Sequence, residues 1–115
     1  MSRIITVERR RQIAHARTLD PDALGPILGE LVVEGNVPVK LVATLLDVAN
    51  VTVYRWMYGA VQPRDPTTLQ RLRRLVTVLR KAKRANDLPL AGDDGQRTAQ
   101  MKNLLVAHRP PPRPE

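Results

Sequence analysis

The side chains with the greatest capacity for chemistry in this sequence are cationic. The chain carries 19 Lys and Arg residues against 11 Asp and Glu residues, which gives a net charge of +8. Residues 64–84 alone hold eight cations and one anion, and residues 1–19 hold five arginines and one glutamate. Such concentrated positive charge predicts an anionic partner, with nucleic acid as the first candidate and an anionic membrane surface as the second.

The other reactive residue types are too sparse for a catalytic centre. The sequence has no Cys, its one Ser is Ser2, and His15 and His108 lie near opposite ends of the chain. This composition provides no metal-binding cluster, no nucleophile beside a base and no glycine-rich phosphate loop. We therefore expect no enzymatic activity, no cofactor and no metal, and no small-molecule ligand is evident.

The length and the apolar patterning predict one all-α domain. A chain of 115 residues has the size of a single domain. No apolar run approaches the roughly 18 residues of a membrane span, and the N-terminus lacks the apolar segment of a signal peptide. We expect no membrane partner and a cytoplasmic location.

Apolar residues recur at helical spacing along most of the chain, and no segment shows the alternation of a strand. The fold class we expect is a compact all-α bundle of about five helices. The predicted elements are a helix or a basic arm in residues 7–18, a helix from Asp20 to Asn36, short helices over Val39–Leu46 and residues 50–59, a long helix over Pro66–Arg84 and a last helix over residues 96–107. The predicted divisions are a basic arm or helix at 1–19, a main domain at 20–86, a linker and C-terminal helix at 87–108, and a disordered Pro-rich tail at 109–115.

The two short helices have the spacing of a helix-turn-helix. In this motif the first helix supports the second, whose N-terminal residues lie in the major groove of DNA. The motif requires a small residue at the helix crossing and apolar residues in the turn and on the inner face of the second helix. These positions are occupied, in that order, by Ala43, Val48, Val53 and Trp56. Asn50 is the expected N-cap of the second helix.

The run VKLVATLLDVANVTVYRWMYG, followed by Pro63 and PTTLQRLRRLVTVL, resembles the lambda-repressor-like, Cro-type helix-turn-helix domain of phage and bacterial regulators. The resemblance covers residues 24–79 and implies a DNA-binding domain within residues 20–86. It implies base contacts from Ala49, Asn50, Val51, Thr52 and Arg55. Together with the charge of the neighbouring segments, it implies phosphate contacts from Lys40, Tyr54, Tyr58, Arg64, Arg71, Arg73, Arg74 and Arg80.

Three positions depart from the family pattern. Asp47 stands in the turn where a Gly is usual, and Asp tolerates the left-handed backbone conformation better than most residues. Val39 stands where the family often has a Gln that contacts phosphate. Val51 occupies a recognition position that is usually polar, from which it can meet a thymine methyl group.

These features predict a sequence-specific double-stranded DNA-binding protein, with a repressor-type regulator of a phage or mobile element as the first interpretation. The alternative is a small terminase subunit or another DNA-packaging component of a phage. The two differ in oligomeric state, since a regulator favours a homodimer and a terminase forms a ring. Simpler interpretations also stay open: a helical hairpin that binds no DNA, a long helix whose charge only keeps it solvated, and a segment Arg9–Arg11 that is either a phosphate-binding arm or a charged helix face.

Overall fold

Six helices account for most of the described chain. The computed structural model describes residues 6–108, in which there is no strand and the helices are Val7–Leu19 (α1), Leu24–Gly35 (α2), Val39–Leu46 (α3), Asn50–Met57 (α4), Pro66–Arg84 (α5) and Asp94–Ala107 (α6). The Cα radius of gyration of 13.5 Å is that of a compact chain of this length. The prediction of a compact all-α fold is confirmed, and the predicted Pro-rich tail at 109–115 lies outside the described residues.

Within the basic N-terminal segment, residues 7–19 form a helix that packs on α2, which raises the helix number to six from the predicted five. Ile13 is its one buried residue and joins the common core. Arg17 strengthens the contact, because its Nε donates a hydrogen bond of 2.5 Å to Glu30 Oε2 on α2. The Thr6 side chain accepts a hydrogen bond from the Arg9 amide and so caps the start of α1.

Two glycines on one face of α2 bring its backbone against α4. Gly25 and Gly29 are four residues apart and therefore lie on the same side of the helix. A Cβ atom added at Gly25 would lie 2.3 Å from the Trp56 carbonyl oxygen, and one added at Gly29 would lie 3.1 Å from that of Met57. Real Cβ atoms do not approach a carbonyl as closely as the first distance. The crossing of α2 and α4 at this spacing therefore requires glycine at position 25.

Helices α2 and α3 end in the same backbone motif. Asn36 and Asp47 adopt the left-handed conformation with φ of 54° and 56°. The next amide in each case bonds back five residues, from Val37 to the Val32 carbonyl at 3.1 Å and from Val48 to the Ala43 carbonyl at 3.0 Å. This is the Schellman arrangement, which satisfies the last carbonyl groups of a helix and reverses the chain sharply. The predicted bounds of α3 are confirmed, and three residues separate it from each neighbour.

The predicted start of α2 is wrong. Helix α2 begins at Leu24 instead of Asp20. Asp20 ends α1 through a bond from its amide to the Ala16 carbonyl, and its Oδ1 accepts the Asp22 amide at 3.2 Å. The carboxylate therefore closes a turn between α1 and α2 and does not cap the second helix.

The N-cap of α4 and the start of α6 lie earlier than predicted. The N-cap of α4 is Ala49 and not Asn50, so Asn50 is the first helical residue. Helix α6 begins at Asp94 because Asp93 and Gln96 form a reciprocal capping box. In both cases the shift is one or two residues, within a segment whose helical character was predicted.

The linker between α5 and α6 is held against the end of α2. The Leu90 side chain is buried, and its amide donates a hydrogen bond of 2.8 Å to the Gly35 carbonyl. The Asn36 side chain donates to the Leu90 carbonyl at 3.1 Å and accepts from Arg97 Nη1 on α6 at 2.8 Å. The left-handed residue that ends α2 therefore also fixes the position of α6.

Replacing Gly25 with Ala tests the α2–α4 contact. We expect Gly25→Ala to lower the free energy of unfolding by about 1–3 kcal/mol, because the added methyl group overpacks a site with no space for it. Gly95→Ala is the matched control, since a Cβ atom there meets only Asp93 Oδ1 at 3.4 Å. The control is expected to be neutral or to stabilise α6 by up to about 1 kcal/mol. Chemical denaturation followed by circular dichroism measures both, and an equally stable Gly25→Ala variant would contradict the crossing.

Candidate nucleic-acid interface

Helix α4 separates its side chains into a buried face and an exposed face. Val53 and Met57 have no exposed surface, and Trp56 is 5% exposed. Ala43 on α3 is buried, and Val48 in the connecting turn is half-buried and packs against the same core. The opposite face of α4 carries Val51 and Arg55 towards solvent. The buried face therefore determines which side chains of α4 a ligand can reach.

The exposed polar groups of α4 are free for intermolecular contacts. Within residues 6–108, the side chains of Asn50 and Arg55 make no hydrogen bond or ion pair. Because Asn50 is the first residue of α4 and not its N-cap, the side-chain amide of Asn50 does not cap the helix. Ala49 is also exposed, Thr52 is half-buried, and Val51 exposes 54% of its surface. All five predicted base-contacting residues thus lie between Ala49 and Arg55, and four of them are exposed.

A groove of about 630 Å³ separates α1 from α4. Its α4 wall contains Val51, Tyr54, Arg55 and Tyr58, and its α1 wall contains Arg9, Gln12, His15, Ala16 and Leu19. None of its lining residues in the described chain carries a carboxylate. The groove divides the predicted base-contacting residues, because Val51 and Arg55 line it whereas Ala49, Asn50 and Thr52 do not.

Aromatic and cationic side chains are stacked at this groove. The rings of Tyr54 and Tyr58 lie 6.0 Å apart with an interplanar angle of 27°. The guanidinium carbon of Arg9 lies 4.6 Å from the centre of the Tyr58 ring, and Arg9 Nη1 donates to Gln12 Oε1 at 2.8 Å. These contacts hold the Arg9 guanidinium at the groove by a cation–π interaction and a neutral hydrogen bond. Its positive charge has no carboxylate partner in the described part of the chain.

The cations of α5 form a second, separate surface. Arg73, Arg80 and Arg84 follow each other at spacings of seven and four, which places them on one stripe of the helix, and Arg74 and Lys81 lie beside it. All five are exposed, and none forms an ion pair with another described residue. Lys83 differs, since its Nζ lies 2.6 Å from Glu34 Oε2 on α2. The α5 surface is therefore a nearly uncompensated positive stripe.

The α5 stripe and the groove lie on different helices. The main packing of α5 is with α2, α3 and α6, whereas α4 packs mainly on α2 and α3. None of the α5 cations lines the groove, and neither do Lys40 and Arg64, which are exposed elsewhere. The predicted phosphate contacts are thus divided, with Tyr54 and Tyr58 in the groove and the other six outside it.

The one anion in residues 64–84 is committed to the start of α5. Asp65 Oδ2 accepts hydrogen bonds from the Thr68 amide and hydroxyl, both at 2.9 Å. These two bonds, with a smaller contribution from the positive charge of Arg71, hold the pKa of Asp65 below its ordinary value. The carboxylate is therefore used as a helix cap and does not pair with the arginines further along α5.

Sequence reasoning did not identify the α1 wall of the groove. In the sequence, Arg9 belongs to one basic run with Arg10 and Arg11, and neither Gln12 nor His15 forms part of a recognisable motif. The three-residue spacing of Arg9, Gln12 and His15 places them on one face of α1. The packing of α1 on α2 determines that this face lies opposite α4. Only the folded chain brings Arg9 to Tyr58.

Comparisons of this chain with protein-family models, with curated proteins and with solved structures found no match. Across residues 6–108, no three side chains capable of binding a metal lie together. None of the helices in that range has both the length and the apolar character needed to cross a bilayer.

Two neighbouring residues test the assignment of the α4 faces. We expect Trp56→Ala to lower the free energy of unfolding by about 3–5 kcal/mol, because it removes a large buried side chain. Arg55→Ala should change it by no more than about 0.5 kcal/mol, because Arg55 is exposed and unpaired. Urea denaturation followed by circular dichroism compares the two. A stable Trp56→Ala variant would show that the wrong face of α4 is assigned to the core.

Proposed function

We propose that this protein binds double-stranded DNA sequence-specifically, with α3 and α4 as a helix-turn-helix and α4 as its recognition helix. One observation carries the proposal: α4 is buried on one face and presents on its accessible surface Asn50 and Arg55, whose side chains have no polar partner among residues 6–108. The three-residue turn and the buried Ala43, Val53 and Trp56 support it, since they provide the packing that such a motif requires.

The side chains on α4 have the chemistry of base recognition. An arginine can donate two hydrogen bonds to the major-groove edge of guanine, and an asparagine can pair with adenine by one donor and one acceptor. We assign these roles to Arg55 and Asn50. Thr52 can hydrogen-bond to a base edge, and the exposed Val51 side chain can contact a thymine methyl group. Ala49 leaves space for the duplex at the start of the helix.

Phosphate contacts would supply most of the affinity. The positive stripe on α5, together with Lys40, Arg64 and Arg71, attracts the duplex without regard to sequence. Such contacts fix the position of a protein on DNA, whereas the contacts from α4 select the site. This division of roles favours a regulator that occupies an operator, and we propose a repressor-type role in a phage or mobile element.

The oligomeric state separates this role from DNA packaging. A regulator of this kind is expected to form a homodimer whose two-fold axis matches a palindromic site, whereas a terminase subunit forms a ring. Light scattering of the full chain distinguishes them, because a dimer and a ring differ several-fold in molar mass. A ring would favour the packaging role over regulation.

The salt dependence of binding tests the electrostatic part of the proposal. If each subunit meets about four to six phosphates, log affinity should fall against log salt concentration with a slope of about −4 to −5 per subunit. Fluorescence anisotropy on a labelled duplex over a series of salt concentrations measures this slope. A protein that does not bind duplex DNA even at low salt would contradict the proposed function.

Paired substitutions test which residues read sequence and which hold the backbone. On a preferred site selected from random duplexes, Arg55→Ala should weaken binding by about 1–3 kcal/mol while hardly changing binding to random DNA. Arg80→Ala is the control. It should weaken binding to the preferred site and to random DNA to a similar extent, and it should make the slope of log affinity against log salt concentration shallower by about one. Equal losses on both DNAs for Arg55→Ala would exclude Arg55 from base recognition.

A further inference from the structure

Helix α1 presents a polar surface to α4 that the helix-turn-helix does not use. Arg9, Gln12 and His15 line the groove opposite Tyr54 and Tyr58. In the described chain, the Arg9 guanidinium is fixed by contacts with Tyr58 and Gln12 and lacks a carboxylate partner. A positioned, unpaired cation in a groove without acidic side chains is complementary to an anion.

The position of this groove relative to α4 indicates which anion it meets. A helix with its side chains is about 10–12 Å across, and the major groove is about 12 Å wide, so a recognition helix has a sugar-phosphate strand along each flank. The groove follows one flank of α4 and is lined there by Val51 and Arg55, both of which are exposed. A strand that borders α4 on this side therefore runs between α4 and α1.

From this geometry we infer that the α1–α4 groove holds one sugar-phosphate strand of the bound duplex, with Arg9 as the α1 residue that contacts a phosphate. The inference rests on the proposed function, because it takes α4 to lie in the major groove. A guanidinium offers a planar set of donors that matches phosphate oxygens. The apolar side chains of Ala16 and Leu19 on the same wall can pack against deoxyribose.

The neighbouring arginine provides a matched control. Arg10 lies about 100° around α1 from Arg9, does not line the groove, and its side chain forms no hydrogen bond or ion pair with another described residue. Removing either side chain changes the net charge of the protein by the same amount. Only the Arg9 substitution removes a charge from the groove.

The experiment measures duplex binding by the full chain over a series of salt concentrations. Arg9→Gln should make the salt slope shallower by about 0.9 and weaken binding about fivefold near physiological salt, to a similar extent on preferred and random DNA. Arg9→Lys should keep the wild-type slope because it keeps the charge, and Arg10→Gln should stay close to wild type. Thermal melts of all variants detect any loss of α1 packing.

A scan of the DNA backbone tests the same contact without altering the protein. Single neutral methylphosphonates are placed along each strand beside the preferred site. At one or two positions on one strand, the wild-type protein should lose about fivefold in affinity and Arg9→Gln should lose almost nothing more, since both changes remove the same interaction.

The outcomes distinguish the strand contact in the groove from the proposed DNA-binding function. Equal effects of Arg9→Gln and Arg10→Gln, or a scan in which no phosphate couples to Arg9, would overturn the inference while leaving the proposed function intact. A wild-type protein that binds no duplex at low salt would overturn both.

Discussion

The close approach of α2 and α4 at Gly25 is the constraint on which the rest of the structure depends. The Trp56 carbonyl occupies the space that any larger residue at position 25 would need. Because α2 and α4 approach so closely, Val53, Trp56 and Met57 form the buried face of α4, and Val51 and Arg55 lie on its exposed face. Since a short helix gains little stability by itself, the packing against α2 holds α4 in place. The same packing thereby selects the side chains that a partner can contact.

Gly29 extends this constraint to α1. A Cβ atom at position 29 would lie 3.2 Å from the Ile13 side chain as well as close to Met57, so α1 and α4 both reach the same turn of α2. The two helices are therefore held side by side by a common neighbour. This arrangement creates the groove between α1 and α4. It also places the guanidinium carbon of Arg9 4.6 Å from the centre of the Tyr58 ring.

The charge distribution is divided between surfaces that the core keeps apart. Three Lys or Arg residues of the described chain form ion pairs: Arg17 with Glu30, Lys83 with Glu34 and Arg97 with Asp94. The first two pairs attach α1 and α5 to glutamates of α2. Asp65 is used as a cap. The arginines left on α5 have no such role in the described chain, and exposed cations without partners contribute little to stability. Their concentration on one helix supports the proposed contacts with the DNA backbone.

The sequence by itself determined the all-α class, the bounds of α3 and α5, and the inward residues of α4. These depend on local signals: apolar spacing, the Asp65 cap before Pro66, and the left-handed positions at Asn36 and Asp47. The start of α2 and the N-cap of α4 were not determined, because Asp20 and Asn50 both have side chains that can cap a helix, and packing decides whether they do. Only the tertiary structure decided that residues 7–19 pack as a helix beside α4 and that Arg9 meets Tyr58. That contact joins residues 49 positions apart, and no periodicity within one helix encodes which other helix it will face.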